Sequence, residues 1–181
     1  RVLKMRRDGH HLIEMMGGRK VHPNWGLPGG VSRGINEEQR REIEQLGRDA
    51  IEFAKFSLQL FADVVLKNSD YVKLITGDTY VHRTYNMGTV DANNGVNFYD
   101  GQIRVVGPDG KEHAKYDAQD YREYVAERVE PYSYLKFPYL KKVGWKGFVD
   151  GVDSGVYKAT PLSRLNAADG MTTPLAQAEY Q

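Results

Sequence analysis

The chain of 181 residues contains no cysteine. This absence excludes disulfide bonds and any metal site built on thiolates within these residues. An excess of charge of one sign is also lacking, because 25 basic and 24 acidic residues leave a net charge of +1. This balance argues against an electrostatic surface for binding nucleic acid. No apolar run reaches the length of a membrane-spanning helix, and the first residues show no secretory signal pattern.

The length suits one domain or at most two small ones, and we expect residues 1–181 to form a single segment. The sequence opens at Arg1 with an apolar pattern typical of the middle of a helix. It stops within Ala176–Gln181, a stretch that favours the start of another helix. We therefore expect an excised or incomplete polypeptide.

Two helices are predicted in the first third of the chain. Residues 1–16 carry a helical apolar pattern that Gly17 and Gly18 end, since glycine tolerates the left-handed conformation that closes helices. Asn36 offers an N-cap with a reciprocal capping box. Apolar residues at three- and four-residue steps then predict a helix of about eight turns over about 37–67. Its second half is apolar on most sides, which predicts a buried central helix.

A β-rich insertion is predicted over about 72–116. Val96–Tyr99 and Gln102–Val106 flank Asp100-Gly101, which predicts a two-residue hairpin. A helix over about 118–129 and a loop-rich remainder follow. The predicted fold class is α+β, mainly helical, with a small antiparallel sheet inserted in the middle. Further strands are expected at Val72–Ile75, Tyr80–Tyr85 and Lys111–Tyr116, the last after the turn Pro108-Asp109-Gly110.

One helical face offers donors for a metal ion. His10 and Glu14 are four residues apart and His11 and Glu14 three apart, so all three lie near one face. Further ligands would have to come from elsewhere in the chain. A solvated or hydrogen-bonded helix face is the favoured interpretation.

His22 lies in a loop rich in glycine and proline. Pro23 follows it directly, which disfavours the helical conformation at His22 and stiffens the chain. The surrounding glycines allow backbone to approach a bulky neighbour closely. The loop therefore suits packing around a cofactor or another subunit, although a simple connector with a hydrogen-bonded histidine is equally compatible with these residues. No glycine-rich nucleotide motif is present.

The stretch Pro161–Gly170 combines an arginine, an amide and a carboxylate. We expect an Arg164–Asp169 pair to brace a loop, and we assign Arg164, Asn166 and Asp169 no firm role beyond organising the interior. Ser163 has no histidine at a spacing typical of a serine hydrolase. The tyrosines fit packing better than base stacking, given the balanced charge.

These motifs resemble the large subunit of nickel–iron hydrogenases, and the match runs in order through nearly all of the chain. Leu12–Pro23, continuing to Pro28-Gly29-Gly30, is similar to the family motif G-G-[RK]-x-x-H-P…P-G-G. The soluble, cofactor-coupled branch, with viologen-reducing and NAD-reducing enzymes, has segments similar to Pro161–Gly170, Thr173–Tyr180, Tyr134–Lys141 and Gly144–Gly147.

In that family, the large subunit splits hydrogen at a nickel–iron centre that carries cyanide and carbon monoxide ligands, and two C-x-x-C motifs hold the metals. Both motifs are missing here. The resemblance therefore implies a central segment that forms scaffold and small-subunit interface, holds no metal and is inactive alone. The family's catalytic glutamate and arginine lie in motifs outside this segment, so no catalytic residue is expected. The family histidine that matches His22 lies close to an iron–sulfur cluster of the small subunit, which implies the same place for His22.

The resemblance also implies partners and location. We expect an iron–sulfur small subunit, an electron-acceptor module such as a flavin or heterodisulfide reductase module, and a cytoplasmic location. Nucleic acid and a membrane span are not expected. The alternative is a cysteine-free, non-catalytic scaffold that packs against an iron–sulfur protein, as in respiratory complex I. A small metal-binding domain built on His10, His11 and Glu14 is a third hypothesis.

Overall fold

A computed structural model describes every residue from Arg1 to Gln181 and has a mixed α+β fold with small sheets. The backbone divides into two compact units, Arg1–Thr79 and Tyr80–Gln181, where the sequence predicts a single segment. The division follows the change from helical to β-rich sequence, since neighbouring helices and paired strands each bury surface within their own unit. None of the helices is long and apolar enough to cross a lipid bilayer.

The first unit is built from helices and one short ribbon. Asn36 Oδ1 accepts a hydrogen bond from Gln39 N at 2.8 Å, and Gln39 Oε1 accepts one from Asn36 N at 3.0 Å. This confirms the predicted capping box and fixes where the long helix begins. The elements are α1 (Val2–Gly17), β1 (Gly26–Leu27), β2 (Gly30–Val31), α2 (Glu37–Phe61), a π-helical turn (Ala62–Leu66) and α3 (Ser69–Thr76).

Two predictions for this unit are wrong. The second half of α2 is not buried, as Leu60 is 45% and Phe61 46% exposed. The reason is that α1 packs along one side of α2 and leaves its other apolar faces open. Val72–Ile75 is helical rather than extended, because Asn68 Oδ1 accepts hydrogen bonds from the backbone N–H groups of Asp70 and Tyr71 and begins α3.

The second unit contains a four-stranded sheet with strand order β5-β4-β3-β8. The strands β3, β4 and β5 are antiparallel neighbours, and β8 adds to β3 in parallel. A separate antiparallel pair joins β6 and β7. The bounds are β3 (Tyr85–Val90), β4 (Gln102–Val106), β5 (Glu112–Tyr116), β6 (Val125–Val129), β7 (Lys136–Leu140) and β8 (Tyr157–Lys158). Its helices are α4 (Tyr121–Tyr124), α5 (Pro161–Asn166) and α6 (Pro174–Tyr180), with a 3₁₀ turn at Ala118–Asp120. Another 3₁₀ turn, Asp78–Tyr80, includes the last two residues of the first unit and the first residue of the second.

The predicted hairpin of residues 96–106 does not form. The partner of β4 is β3, with Asn86 opposite Val106, whereas Val96 makes a single bridge to Val90. Side-chain turns divert the intervening chain, since Asn97 Oδ1 accepts a hydrogen bond from Tyr99 N at 2.8 Å. The turn before β5 and β5 itself are confirmed.

The predicted helix over 118–129 is also wrong beyond its first turns. Only Tyr121–Tyr124 is α-helical, and Val125–Val129 forms a strand paired with Lys136–Leu140. Apolar residues at 121, 124, 125 and 129 fit a helical period, but β-branched Val125 and Val129 also suit a strand. The core of this unit surrounds the sheet and contains Tyr85, Val105, Tyr116 and Leu140, with a second cluster of Val90, Val96 and Ala168.

Candidate functional site

The loop after α1 is fixed to the helix by a close contact between Gly17 and Pro23. A Cβ atom on Gly17 would lie 2.2 Å from Pro23 Cβ, so only glycine permits this approach. Asn24 N donates to Gly17 O at 3.2 Å across the same contact. The chain therefore doubles back onto the end of α1 within a few residues.

The rest of the loop is a small two-stranded ribbon, which we call the histidine ribbon (Gly17–Arg33). Strands β1 and β2 pair around a turn in which Gly29 has φ +84°. Ser32 N donates to Trp25 O at 2.7 Å, and Trp25 Nε1 donates to Arg33 O at 3.1 Å. Hydrogen bonds thus brace the ribbon from both strands.

His22 is exposed on this ribbon and has φ +51°, one of two residues other than glycine with positive φ. Such a conformation costs of order 1–3 kcal/mol and persists only where the surrounding structure enforces it. The side chain of His22 makes no hydrogen bond or ion pair within the chain. The imidazole is therefore exposed, and both ring nitrogens are without a partner within the chain.

The histidine ribbon carries positive charge. It contains Arg19, Lys20 and Arg33 and no acidic residue. Lys20 Nζ lies 3.5 Å from Glu14 Oε2 at the end of α1, and both side chains are about half exposed. The ribbon therefore presents a positively charged surface.

The helical face of His10, His11 and Glu14 does not converge on a metal. His11 Nε2 lies 2.8 Å from Glu42 Oε1, and Glu14 faces Lys20. The chain contains no group of three or more histidine or carboxylate side chains close enough to hold a metal ion. A hydrogen-bonded helix face is what the structure shows.

The predicted Arg164–Asp169 pair is wrong. The guanidinium of Arg164 lies 4.5 Å from the ring centroid of Phe98, whereas Asp169 Oδ1 accepts a hydrogen bond from Arg104 Nη1 at 2.8 Å. Sequence reasoning missed Arg104. The sequence does contain a signal for this ion pair, because Arg104 is a charged residue within the otherwise apolar strand β4. A charge that is buried in this way needs hydrogen-bond partners.

Arg104 is 8% exposed and fixes the segment after α5 to the sheet. Its Nη1 also donates to Ala167 O at 3.1 Å, and its Nε donates to Glu112 Oε2 at 2.8 Å. Asp169 Oδ2 accepts a further bond from Asn94 Nδ2 at 2.8 Å. The hydrogen bonds from Arg104 and then Asn94 lower the pKa of Asp169, which favours the charged carboxylate.

Helix α5 lies close to β3 because of Gly88. A Cβ on Gly88 would lie 3.0 Å from Arg164 Cα and 3.2 Å from Ala167 Cβ. Asn166 Nδ2 reaches Asn86 Oδ1 at 3.4 Å on the same strand. Asn166 and Asp169 are both exposed and do not organise the interior as predicted; their hydrogen bonds instead fix α5 and the segment after it to β3 and β4.

No family model matches the chain. The chain is 46% identical over 176 residues to the iron-sulfur subunit of the F420-non-reducing hydrogenase of Archaeoglobus profundus, covering 97% of this chain and 36% of that protein. It is 36% identical over 180 residues to a vhu subunit of the F420-non-reducing hydrogenase of Methanocaldococcus jannaschii, covering 99% of this chain and 40% of that protein. Identity to the beta subunit of the NAD-reducing hydrogenase HoxS of Cupriavidus necator is 30%, over 98% of this chain and 35% of that protein.

The fold is also similar to a solved structure. A crystal structure of an NAD+-reducing [NiFe]-hydrogenase in the H2-reduced state superposes with a TM-score of 0.78 and 26% identity, over 97% of this chain and 37% of that chain. The present chain thus spans 36% and 40% of the lengths of the two F420-non-reducing hydrogenase subunits.

These names correct the identity expected from the sequence. The expectation was a central segment of a nickel–iron hydrogenase large subunit. The similarity is instead to subunits of F420-non-reducing hydrogenases, one of them designated an iron-sulfur subunit, and to the beta subunit of a NAD-reducing hydrogenase. The relatives are subunits of hydrogenases, which are oxidoreductases, and none of these three names specifies a large subunit.

Proposed function

We propose that this chain is part of one subunit in a multi-subunit hydrogenase, related to the matched subunits of the F420-non-reducing enzymes, and that it works in the oxidation or evolution of molecular hydrogen. Similarity along 97% of the chain to one such subunit and a fold match with a TM-score of 0.78 support this assignment. We place the complex in the cytoplasm, with an electron-acceptor module, such as a flavin or heterodisulfide reductase module, among the partners.

The proposed role of this part of the subunit is scaffold and interface. The residues present do not fit a nickel–iron centre, because the chain lacks cysteine and brings no three histidine or carboxylate side chains together. We therefore assign the nickel–iron centre, with its cyanide and carbon monoxide ligands, to residues outside this chain, and iron–sulfur clusters to a partner subunit. This chain alone should not consume hydrogen.

The observation that carries the interface assignment is the conformation of His22. Its backbone is strained, its imidazole is exposed without a partner, and its ribbon is basic. Iron–sulfur clusters ligated by thiolates carry negative charge and accept hydrogen bonds at sulfur. We infer that His22 lies against the partner subunit beside such a cluster. An N–H donated from His22 to a cluster sulfur would stabilise the reduced cluster and raise its reduction potential.

The test compares His22→Ala with wild type in the assembled complex. We expect normal assembly, slower hydrogen uptake with a viologen dye, and a lower reduction potential of one iron–sulfur cluster in an EPR-monitored titration. His10→Ala is the matched control, since His10 is an exposed histidine of α1. An unchanged potential in His22→Ala would refute the placement of His22, while leaving the hydrogenase assignment in place.

The same preparation also distinguishes the hydrogenase assignment from the alternative of a non-catalytic scaffold. A complex that contains this polypeptide and consumes hydrogen supports the hydrogenase assignment. A complex without hydrogen uptake and without nickel supports the non-catalytic scaffold.

A further inference from the structure

Arg33, at the end of the histidine ribbon, packs its guanidinium against Gly18. A Cβ atom on Gly18 would lie 2.6 Å from Arg33 Nη2 and 3.0 Å from Arg33 Cζ, so the head group fills the space that a side chain at this position would take. Gly18 has φ +80°, and its N–H donates to Glu14 O at 2.8 Å and closes α1. A positive charge is favourable here, because the last turn of a helix carries partial negative charge. The guanidinium is therefore held at the end of α1.

The donors of this guanidinium have no acceptor within the chain. The side chain of Arg33 makes no hydrogen bond and no ion pair, and the residue is exposed. Glu14, the acidic residue near the end of α1, lies 3.5 Å from Lys20 instead. The histidine ribbon itself contains no acidic residue. Arg33 thus presents an open, planar fork of N–H donors to a surface that covers the ribbon.

The two glycines at the end of α1 place Arg33 beside the segment that carries His22. Pro23, which follows His22, contacts Gly17, and the head group of Arg33 contacts Gly18. Because neighbouring Cα atoms are only about 3.8 Å apart, both ends of the ribbon meet α1 at nearly the same place. A partner subunit that covers His22 therefore also reaches Arg33.

The geometry of a guanidinium selects the kind of acceptor. Its planar fork matches the two oxygens of a carboxylate, which accept two parallel N–H bonds. An exposed ion pair usually contributes little, because ordering two long side chains costs entropy. The contact with Gly18 already orders Arg33, so less entropy is lost when this side chain pairs.

We propose that Arg33 forms a bidentate ion pair with an aspartate or glutamate carboxylate of the partner subunit that covers the histidine ribbon. This pairing rests on the proposed placement of His22 against that subunit. Arg33 anchors the ribbon in the interface, and His22 is the group that faces the cluster.

The first measurement is the strength of subunit association in the assembled complex. We expect Arg33→Gln to raise the dissociation constant of the partner subunit about tenfold or more, because it loses both the charge and the fork. Arg19→Gln is the matched control, since Arg19 is an exposed arginine of the same ribbon without an ion pair. It removes the same charge and should change the constant about threefold or less. Circular dichroism of each complex checks that the fold is retained.

The second measurement identifies the carboxylate. Arg33→Lys introduces a primary amine, and a carbodiimide joins this amine to a carboxylate in direct contact. An amide bond forms, and the carbodiimide takes up the water that is lost and becomes a urea. Mass spectrometry of the digested complex then locates the linked residue. Wild type is the control, because a guanidinium does not couple in this way.

A link from position 33 to an aspartate or glutamate of another subunit, together with weaker association in Arg33→Gln only, supports the proposal. A link to the same polypeptide, no link, or equal weakening in Arg33→Gln and Arg19→Gln overturns it. The placement of His22 is judged separately by the cluster potential in His22→Ala. A lowered potential in His22→Ala without a link from position 33 refutes the ion pair alone. An unchanged potential with that link refutes the cluster contact and keeps the ion pair.

Discussion

Arg104 on β4 and Asp169 after α5 form a hydrogen-bonded ion pair of 2.8 Å between residues 65 positions apart. Arg104 is nearly buried, whereas the Asp169 side chain is 57% exposed. Removing the hydrogen-bond partners of Arg104 would leave a nearly buried charge unpaired. We therefore expect it to cost more free energy than removing the partners of Asp169.

Arg104→Met keeps the aliphatic stem and removes every hydrogen bond of the guanidinium. Ala167 O then loses its side-chain donor and the segment after α5 loses its tie to the sheet. We expect the free energy of unfolding to fall by about 1–3 kcal/mol, measured by urea denaturation. Lys136→Met breaks a pair with Glu127 in which both side chains are more than half exposed, so it should cost clearly less. Equal losses in the two variants would contradict the bracing role of Arg104.

Asp169→Asn should change the pH dependence of stability. The pKa of Asp169 is lowered in the folded chain by the hydrogen bonds from Arg104 and Asn94. Because this pKa is lower in the folded chain than in the unfolded one, the charged carboxylate stabilises the fold at every pH above the ordinary carboxyl range. This stabilisation is lost as the pH falls through the pKa of the folded chain. The stability gap between wild type and Asp169→Asn should therefore be constant near neutrality and close below about pH 4. Because the side chain is exposed, the gap should be about 1 kcal/mol or less.

Gly88→Ala should displace α5 from β3. The new Cβ would lie 3.0 Å from backbone of Arg164 and 3.2 Å from Ala167 Cβ, and both are held in a tight contact. We expect a loss of about 1–3 kcal/mol of unfolding free energy. Gly9→Ala is the opposite case, since nothing lies within 4 Å of the added carbon. As Gly9 lies inside α1, that substitution should stabilise the chain by up to about 1 kcal/mol.

Tyr116→Phe should not destabilise the chain. The Tyr116 hydroxyl is buried without a hydrogen-bond partner, while its ring stacks on Tyr124 with centroids 3.9 Å apart. Removing the hydroxyl keeps the stack and removes the cost of an unsatisfied group, a gain of about 1 kcal/mol. If the free energy of unfolding of Tyr116→Phe, measured by chemical denaturation, fell by more than about 1 kcal/mol, the hydroxyl would have a hydrogen-bond partner.

The same tyrosine predicts a loss of stability at high pH. Burial raises the pKa of Tyr116 to about 12. Since the folded value lies above the unfolded one, the unfolded chain loses this proton first as the pH rises. The group therefore leaves stability unchanged below about pH 10 and lowers it as the pH rises towards the folded value. Wild type should therefore lose stability relative to Tyr116→Phe between these limits, in unfolding curves recorded at increasing pH.

Gly17→Ala should loosen the histidine ribbon. Its Cβ would lie 2.2 Å from Pro23 Cβ, so the ribbon must move away from α1. We expect a lower thermal unfolding midpoint for Gly17→Ala and no change for Gly26→Ala, where the added carbon meets nothing within 4 Å. In the assembled complex, Gly17→Ala should reproduce part of the effect of His22→Ala, because it shifts the imidazole without removing it.

The sequence predicts most features that depend on neighbouring residues. The capping box at Asn36, the end of α1 at Gly17-Gly18 and the turn before β5 are local, and the structure confirms each of them. The unusual loop around His22 is also visible in the sequence, since glycine and proline restrict or free the backbone wherever they occur. Its proposed place at a cluster remains a prediction.

Tertiary structure alone decided the rest. The pairing of β3 with β4 rather than a local hairpin, and the strand at Val125–Val129 rather than a helix, depend on partners distant in sequence. The choice of Arg104 over Arg164 as the partner of Asp169 is of the same kind. Local patterns fix the backbone preferences of a segment, but burial and hydrogen bonding between distant segments decide which compatible partner it finds. That is why the caps and turns could be predicted, and the brace between β4 and Asp169 could not.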